Sequence, residues 1–232
     1  MMKLFIKDTV DKTGYGDRGL SIAALFAVIL ALASCAAAPS YRPLSPQGGA
    51  ACPDIFPAAA ARLIHQIEIT SPLSGKSLFV GAVKVEPEKD ALHAVLMSVE
   101  GMVLFEAETA GADFRMISAV PPLNDLPFAK GLMGDISFVM LKPAGKPVEQ
   151  GADDQGLWAC RWPTGKENIL ETALTKDGNI RLRLYGANRK IIKEAAAFPP
   201  FDRKAPAFIK MKSFGPASYT IDLKLIEMES VD

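Results

Sequence analysis

The segment KDGNIRLRLYGA, residues 176–187, decides the fold class of this chain. It begins with a polar turn that contains Asp-Gly, a dipeptide favoured in two-residue hairpin turns. Apolar and polar side chains then alternate in the order Ile180, Arg181, Leu182, Arg183, Leu184 and Tyr185. Strict alternation of this kind predicts an antiparallel strand with one face on a hydrophobic core and the other face in water.

The same alternation recurs on both sides of this segment. About ten strands are predicted between residues 63 and 227, and short turns such as Glu100-Gly101 separate them. On the predicted strand 91–99, Val95, Met97 and Val99 share one face, and on the predicted strand 167–175, Leu170 and Leu174 are expected to face inward. Strands at this spacing, joined by such turns, favour an antiparallel meander.

One helix interrupts the strands. Pro121-Pro122 breaks the chain, and the apolar period then becomes that of a helix over residues 124–141. Asp135 is expected at the edge of this helix, because a buried carboxylate needs partners. The predicted apolar stripe consists of Phe128, Leu132, Ile136, Val139 and Met140.

Together these elements predict a mostly β protein of the α+β type with one central helix. A single sheet of about ten strands curls or closes, because strands twist. One helix is too small to cover the whole apolar face, so we expect a hydrophobic hollow that binds apolar ligands. The candidate ligand contacts, chosen by alternation alone, are Phe105, Leu184, Ile209, Met211, Ile221 and Leu223.

The N-terminal residues are typical of a secretory signal. Arg18 precedes an apolar run over residues 20–33, and small residues precede Cys35. The segment Leu32-Ala33-Ser34-Cys35 resembles the bacterial lipobox, which implies that the Cys35 thiol is diacylated and that Cys35 becomes the first mature residue. A single membrane anchor is the alternative, but the run is shorter than the roughly 20 residues that a spanning helix needs.

This signal divides the chain into three parts. Residues 1–34 are interpreted as a lipoprotein signal peptide, and residues 54–232 as a single β-rich domain. Residues 35–53 are rich in Ala, Pro, Ser and Gly, which predicts a flexible tether. Ala36 stands where lipoproteins kept in the inner membrane tend to have aspartate, so the resemblance implies sorting to the outer membrane.

Charge and cysteine content limit the functions that need to be considered. The chain has 26 basic and 26 acidic residues, and this neutrality argues against nucleic acid as the main partner. Once Cys35 is set aside, Cys52 and Cys160 remain in a compartment that permits disulfides. Both a disulfide and two buried free thiols are compatible with the sequence.

No catalytic motif is present. The two histidines, His65 and His93, have no second histidine at helical spacing, and the sequence lacks a Gly-x-Ser-x-Gly elbow and a P-loop. We therefore expect partly buried or surface histidines, no metal site, no cofactor and no enzymatic activity.

Four segments resemble the LolA/LolB-type lipoprotein-carrier superfamily, and in particular an outer-membrane lipoprotein branch beside LolB. They are Ser74-Gly75-Lys76 with its following strand, residues 95–105, the helix segment 132–136, and the closing strand 219–223. The resemblance implies a half-open antiparallel β-barrel of the LolB kind, with helices over its mouth. It also implies that the hollow holds acyl chains during transfer across the periplasm.

Two functions follow as hypotheses. The leading one is a monomeric, lipid-anchored outer-membrane lipoprotein that faces the periplasm and binds acyl chains or lipidated cargo. The alternative is a non-enzymatic interaction or scaffold module of the cell envelope, with its hollow filled by its own side chains. An empty apolar cavity of about 300 Å³ or more would favour the carrier, and a filled interior would favour the scaffold.

Overall fold

The computed structural model of the chain describes residues 41–46, 51–72, 75–165, 167–199, 205–215 and 218–231. The predicted signal peptide (1–34) and lipidation site Cys35 lie outside these residues, as does Ser74 of the resembling segments. Lipidation and the predicted end of the signal peptide therefore stay predictions.

The described residues form thirteen β-strands and one α-helix. The strands are β1 (Ser45–Pro46), β2 (Ala61–Ser71), β3 (Gly75–Glu86), β4 (Ala91–Met97), β5 (Val103–Ala110), β6 (Asp113–Ala119), β7 (Glu149–Ala152), β8 (Trp158–Thr164), β9 (Asn168–Leu174), β10 (Ile180–Tyr185), β11 (Ile191–Phe198), β12 (Phe208–Ser213) and β13 (Tyr219–Ser230). Helix α1 (Leu126–Met140) lies between β6 and β7, and a 3-10 turn (Pro87–Lys89) lies between β3 and β4.

The mostly β architecture with one helix is confirmed for the described residues. The predicted count of about ten strands is too low. Strands β1 and β7 account for two of the additional strands, because they are short pairings of two and four residues without apolar alternation.

All strands belong to one antiparallel sheet, in the order β1-β7-β8-β9-β10-β11-β12-β13-β2-β3-β4-β5-β6. Two meanders are joined where the last strand, β13, pairs with β2 over ten residue pairs. The sheet is open between the β6 edge and the edge formed by β7 and β1, and α1 is part of the segment that connects these two edges.

One hydrophobic core contains side chains from both meanders and from α1, so the sheet curls around the helix. Pairing explains why these side chains share a face: Phe105 lies opposite Leu96, and Ile221 lies between Met211 and Ile69. The most deeply buried large apolar side chains of this core are Leu63, Val85, Leu92, Phe105, Met133, Leu182, Ile209 and Met211.

Helix α1 begins at the cap residue Asp125, whose carboxylate accepts a hydrogen bond from the Phe128 backbone N–H at 3.1 Å. The predicted helix is confirmed, but its predicted stripe is partly wrong, because Phe128 is 50% exposed. Apolar residues lie on more than one side of this helix, so periodicity alone did not select the buried side. The buried helix residues are Ala129, Met133, Asp135, Phe138, Val139 and Met140.

Two predicted strand faces also need correction. On β4 the buried residues are Leu92, Ala94 and Leu96, whereas Val99 lies beyond the strand and is 59% exposed. The sequence of β4 is apolar on both faces, so alternation did not decide which face is buried. Leu174, at the end of β9, is also exposed, although Leu170 of the same strand is buried as expected.

The N-terminal segment passes around the β7 edge of the sheet. Leu44 packs with Ala159 and Ala173 in a small cluster of its own. Residues 45–46 then pair with β7, and this approach requires Gly151, because a Cβ there would lie 2.1 Å from the Ser45 carbonyl oxygen.

Beyond β1 the segment continues into the interior of the sheet. The Trp158 indole donates a hydrogen bond to the Ala51 carbonyl at 3.1 Å, and Cys52 forms a disulfide with Cys160. Ile55 and Phe56 belong to the main core. We call residues 41–46 and 51–56 the N-terminal hook.

The hook corrects the prediction of a flexible tether over residues 35–53. Residues 41–46 and 51–53 are packed on the sheet, because a disulfide, a strand pairing and buried apolar contacts hold them there. The composition of this segment is typical of a tether. It does not reveal the stabilising contacts, because these are made with residues more than one hundred positions away.

A core truncation tests the assignment of the buried face. We expect Phe105→Ala to lower the free energy of unfolding by about 3–5 kcal/mol, because Phe105 is fully buried. Chemical denaturation measures this difference. Leu174→Ala is the matched control on an exposed position, and a loss as large as that of Phe105→Ala would contradict the assigned face.

Candidate functional site

The concave face of the sheet and helix α1 line an apolar cavity of about 60 Å³. Binding pockets for small molecules usually measure about 300–1,000 Å³, so the space under the helix is nearly filled in this conformation. Its apolar lining includes Ile67, Ile69, Val83, Leu96, Phe105, Leu132, Ile136, Val139, Met140, Met211, Ile221 and Leu223. The ionisable side chains at the cavity are His65 and Asp135.

The structure brings four of the six predicted contact residues to this cavity: Phe105, Met211, Ile221 and Leu223. Ile209 is 1% exposed in the same core but does not line the cavity. Leu184 lies elsewhere, in a groove described next. Alternation along the strands did not predict the wall of the cavity that α1 forms, although part of the predicted helix stripe lines that wall.

An open groove of about 610 Å³ lies on the other side of α1. The helix residues that line the groove include Met133, Gly134, Ser137 and Phe138. They lie on the side of the helix opposite to the residues that line the cavity. Its remaining walls come from the β5–β6 turn, from the chain after α1 and from strands β8 to β10. Helix α1 therefore separates a small apolar cavity from a large groove.

Asp135 joins helix α1 to the sheet. Its carboxylate is 5% exposed, forms an ion pair with the ammonium group of Lys193 on β11, and accepts a hydrogen bond from the Tyr219 hydroxyl on β13. Strand pairing places the two partners near each other, because Lys193 and Tyr219 both lie opposite Ser213 of β12. The expectation that Asp135 lies at the helix edge is wrong.

The protonation of Tyr219 supports this arrangement. Burial, and then the hydrogen bond to the Asp135 carboxylate, raise the pKa of the Tyr219 hydroxyl far above its ordinary value. The hydroxyl therefore stays protonated and continues to donate to Asp135. Lys193 neutralises the buried carboxylate, and its own side chain is only 18% exposed.

The two histidines have different surroundings. His93 on β4 lies 3.0 Å from the carboxylate of Glu106 on β5 and is partly exposed, as expected. His65 on β2 is 3% exposed, more deeply buried than expected, and borders the cavity. Burial lowers the pKa of His65 to about 4, so its imidazole is neutral at neutral pH.

No family model matches the sequence, and no curated protein matches it. Among solved structures, the fold is similar to that of the LolA superfamily protein NE2245 from Nitrosomonas europaea. The TM-score is 0.51 at 13% sequence identity, and the match covers 77% of this chain and 89% of that chain. The chain has a LolA-type fold.

At this identity the likeness establishes the fold and leaves function to be argued from the site. The LolA-type fold confirms the resemblance at the level of architecture. In the part of the chain that the structure describes, no helix has the length and apolar character needed to cross a bilayer.

Removing Asp135 tests whether it holds α1 on the sheet. We expect Asp135→Ala to lower the free energy of unfolding by about 3–5 kcal/mol, because it leaves the largely buried Lys193 ammonium without its counter-charge. Chemical denaturation of the variant measures the loss.

The matched control removes both charges. The double variant Asp135→Leu and Lys193→Met should recover most of the lost stability, because no buried charge is then left unpaired. If the double variant is as unstable as the sum of its single variants, the two side chains do not act as a pair.

His65 predicts a pH dependence of stability. Its pKa is about 4 in the folded chain, against an ordinary value of 6.5, so between these pH values the unfolded chain binds a proton that the folded chain does not. The contribution is complete above pH 6.5, and stability falls as the pH is lowered toward 4, by about 1.4 kcal/mol per pH unit. Urea unfolding at a series of pH values measures this slope.

The control is a comparison of the two histidines. His65→Leu should flatten the slope between pH 4 and pH 6.5, whereas His93→Gln should leave most of it in place. An unchanged slope in His65→Leu would show that other groups cause the pH dependence.

Proposed function

We propose that the protein is a lipid-anchored lipoprotein of the outer membrane, related to the LolB branch, that binds an acyl chain of a lipid or of lipidated cargo. The acyl chain is held between the curled sheet and helix α1 after the helix has moved away from the sheet. The role is binding rather than catalysis, and the protein acts as a monomer. The LolA-type fold supports the carrier architecture.

The position of α1 carries the proposal. This helix separates a cavity whose lining is almost entirely apolar from a groove of about 610 Å³. A volume of about 300–1,000 Å³ is typical of ligand pockets, and the groove alone falls within it. Displacement of α1 would join the two spaces and expose Phe105, Met211 and Ile221 to a ligand.

Helix α1 is suited to move. The sheet ladder does not include it, and the polar link to the sheet is concentrated at Asp135. Gly131 and Gly134 each lower its intrinsic helix stability by about 1 kcal/mol relative to alanine. Its place on the sheet therefore depends on side-chain packing and on one buried ion pair.

His65 gives the cavity a polar side chain that is neutral at neutral pH. No hydrogen-bond partner for its imidazole is found among the described residues. A neutral imidazole donates one hydrogen bond and accepts another, so it is placed to bind the carboxyl or ester group of an acyl ligand.

The proposed location follows from the N terminus and the disulfide. Acylation of Cys35 would attach the chain to the membrane, since two acyl chains give stable anchoring. The Cys52–Cys160 disulfide suits an oxidising compartment such as the periplasm.

The interaction-module hypothesis is favoured by a different observation. The cavity under α1 measures only about 60 Å³, as expected for a hollow filled by the protein's own side chains. In that case α1 stays in place and the outer surface of the domain recruits a partner protein.

Native mass spectrometry separates the two hypotheses. We expect the Cys35→Ser chain, exported to the periplasm with a cleavable signal, to carry fatty acid or phospholipid adducts or to acquire them on incubation with palmitate. The masses of the adducts identify the ligand class. A chain that stays free of adducts in both conditions would contradict acyl binding and favour the interaction module.

A cavity-filling variant shows whether the ligand lies under α1. Met211→Trp should reduce the fraction of chains that carry an adduct several-fold, because the indole occupies space next to α1. Leu174→Trp adds the same side chain at an exposed position and should leave the fraction unchanged. An equal effect of both variants would place the ligand outside the cavity.

A further inference from the structure

The outer part of the N-terminal hook is clamped by Arg161. The guanidinium group lies over the Tyr41 ring, 4.2 Å from its centre, and donates a hydrogen bond to the Arg42 carbonyl at 2.6 Å. The Tyr41 hydroxyl donates to the Glu149 carboxylate at 2.6 Å. The backbone of the hook is therefore held from Tyr41 onward.

The clamp is itself firmly held. Arg161 is 3% exposed and pairs with Glu171 at 2.6 Å and with Glu149 at 2.9 Å. Glu171 is 1% exposed, and the Tyr185 hydroxyl is 3.3 Å from its carboxylate. Breaking a buried network of this kind leaves charges without partners, so the outer hook stays docked.

Docking of the hook shortens the link between domain and anchor. Six residue steps separate Cys35 from Tyr41, and a chain of that length spans at most about 20 Å. A free link from Cys35 to residue 53 would span at most about 60 Å. A domain of this size is about 40 Å across, so only the longer link would let its far side reach the bilayer.

We propose that the anchored protein holds one end of its sheet against the bilayer surface. This end carries Tyr41, Arg42 and the β10–β11 turn with Arg189 and Lys190. The proposal rests on the acylation of Cys35 in the proposed function, and it adds an orientation that acyl binding does not require.

The charges at this end suit a surface of lipid phosphates. Arg42, Arg189 and Lys190 are exposed, and the guanidinium of Arg189 lies 4.7 Å from the centre of the Tyr41 ring. The neighbouring β8–β9 turn adds one exposed carboxylate, Glu167. The three exposed cations therefore outnumber this carboxylate, since the half-buried Glu149 beside Tyr41 is paired with Arg161, and phosphate head groups attract such a cluster.

The opposite end of the same strands provides an internal reference. Lys176 is exposed in the β9–β10 turn, whereas Lys190 is exposed in the β10–β11 turn. Strand β10 runs between these turns, so the two lysines lie at opposite ends of the sheet. Of these two lysines, Lys190 is the one at the end that the short link brings to the membrane.

Lysine acetylation followed by mass spectrometry tests the orientation. The full acylated chain is reconstituted into vesicles of phosphatidylethanolamine and phosphatidylglycerol, and the Cys35→Ser chain is mixed with the same vesicles as the control. We expect labelling of Lys190 to be several-fold slower in the anchored chain than in the control, with labelling of Lys176 unchanged.

The outcomes separate this inference from the proposed function. Equal protection of Lys176 and Lys190, or protection of neither, would overturn the orientation while acyl binding stands on its own test. An intact mass without acyl groups on Cys35 would overturn the orientation and the anchoring together. Acyl binding by the Cys35→Ser chain is measured independently of all three results.

A longer link identifies the cause of any protection. An insertion of about twenty Gly and Ser residues between Ser40 and Tyr41 gives a flexible link whose maximum extension, roughly 90 Å, exceeds the width of the domain. It should abolish the selective protection of Lys190 and leaves the described residues unaltered. If Lys190 stays protected in this variant, the attraction of the cationic end to lipid head groups holds the orientation without the short link, and the role assigned to the link is overturned.

Discussion

The buried carboxylate of Asp135 holds helix α1 on the sheet, and the closed interior depends on that helix. Lys193 and Tyr219 reach Asp135 from two strands, β11 and β13. A buried ion pair stabilises a particular arrangement more than it stabilises the fold, because desolvation offsets much of its attraction. We infer that the pair specifies where α1 sits, while the apolar residues around it supply most of the packing energy.

The two open edges of the sheet differ in the chain segments that lie next to them. The β7 edge is covered by the N-terminal hook, which Arg161 clamps on the outside and the Cys52–Cys160 disulfide ties on the inside. The connection from β6 to β7 contains α1. One edge therefore holds the chain that leads to the proposed anchor, while the other leads into the element that closes the interior.

Local patterns predicted the sheet better than the site. Alternation placed Phe105 and Ile221 on the buried face, because each strand there has one apolar and one polar side. On β4, where both sides are largely apolar, it selected the face of the half-buried Val95 and not the buried face of Leu92 and Leu96. The burial of Asp135 and the docking of Tyr41 were not predictable from local sequence, because their partners lie far along the chain.

Hydrogen exchange of the native protein tests most directly whether α1 opens separately from the sheet. An isolated helix of this length is marginally stable in water, so α1 should lose its amide protection when it leaves the sheet. We predict that α1 amides exchange through an opening that costs less free energy than exchange of the paired strands β2 and β13. Exchange of α1 and of these strands at the same global free energy would contradict it.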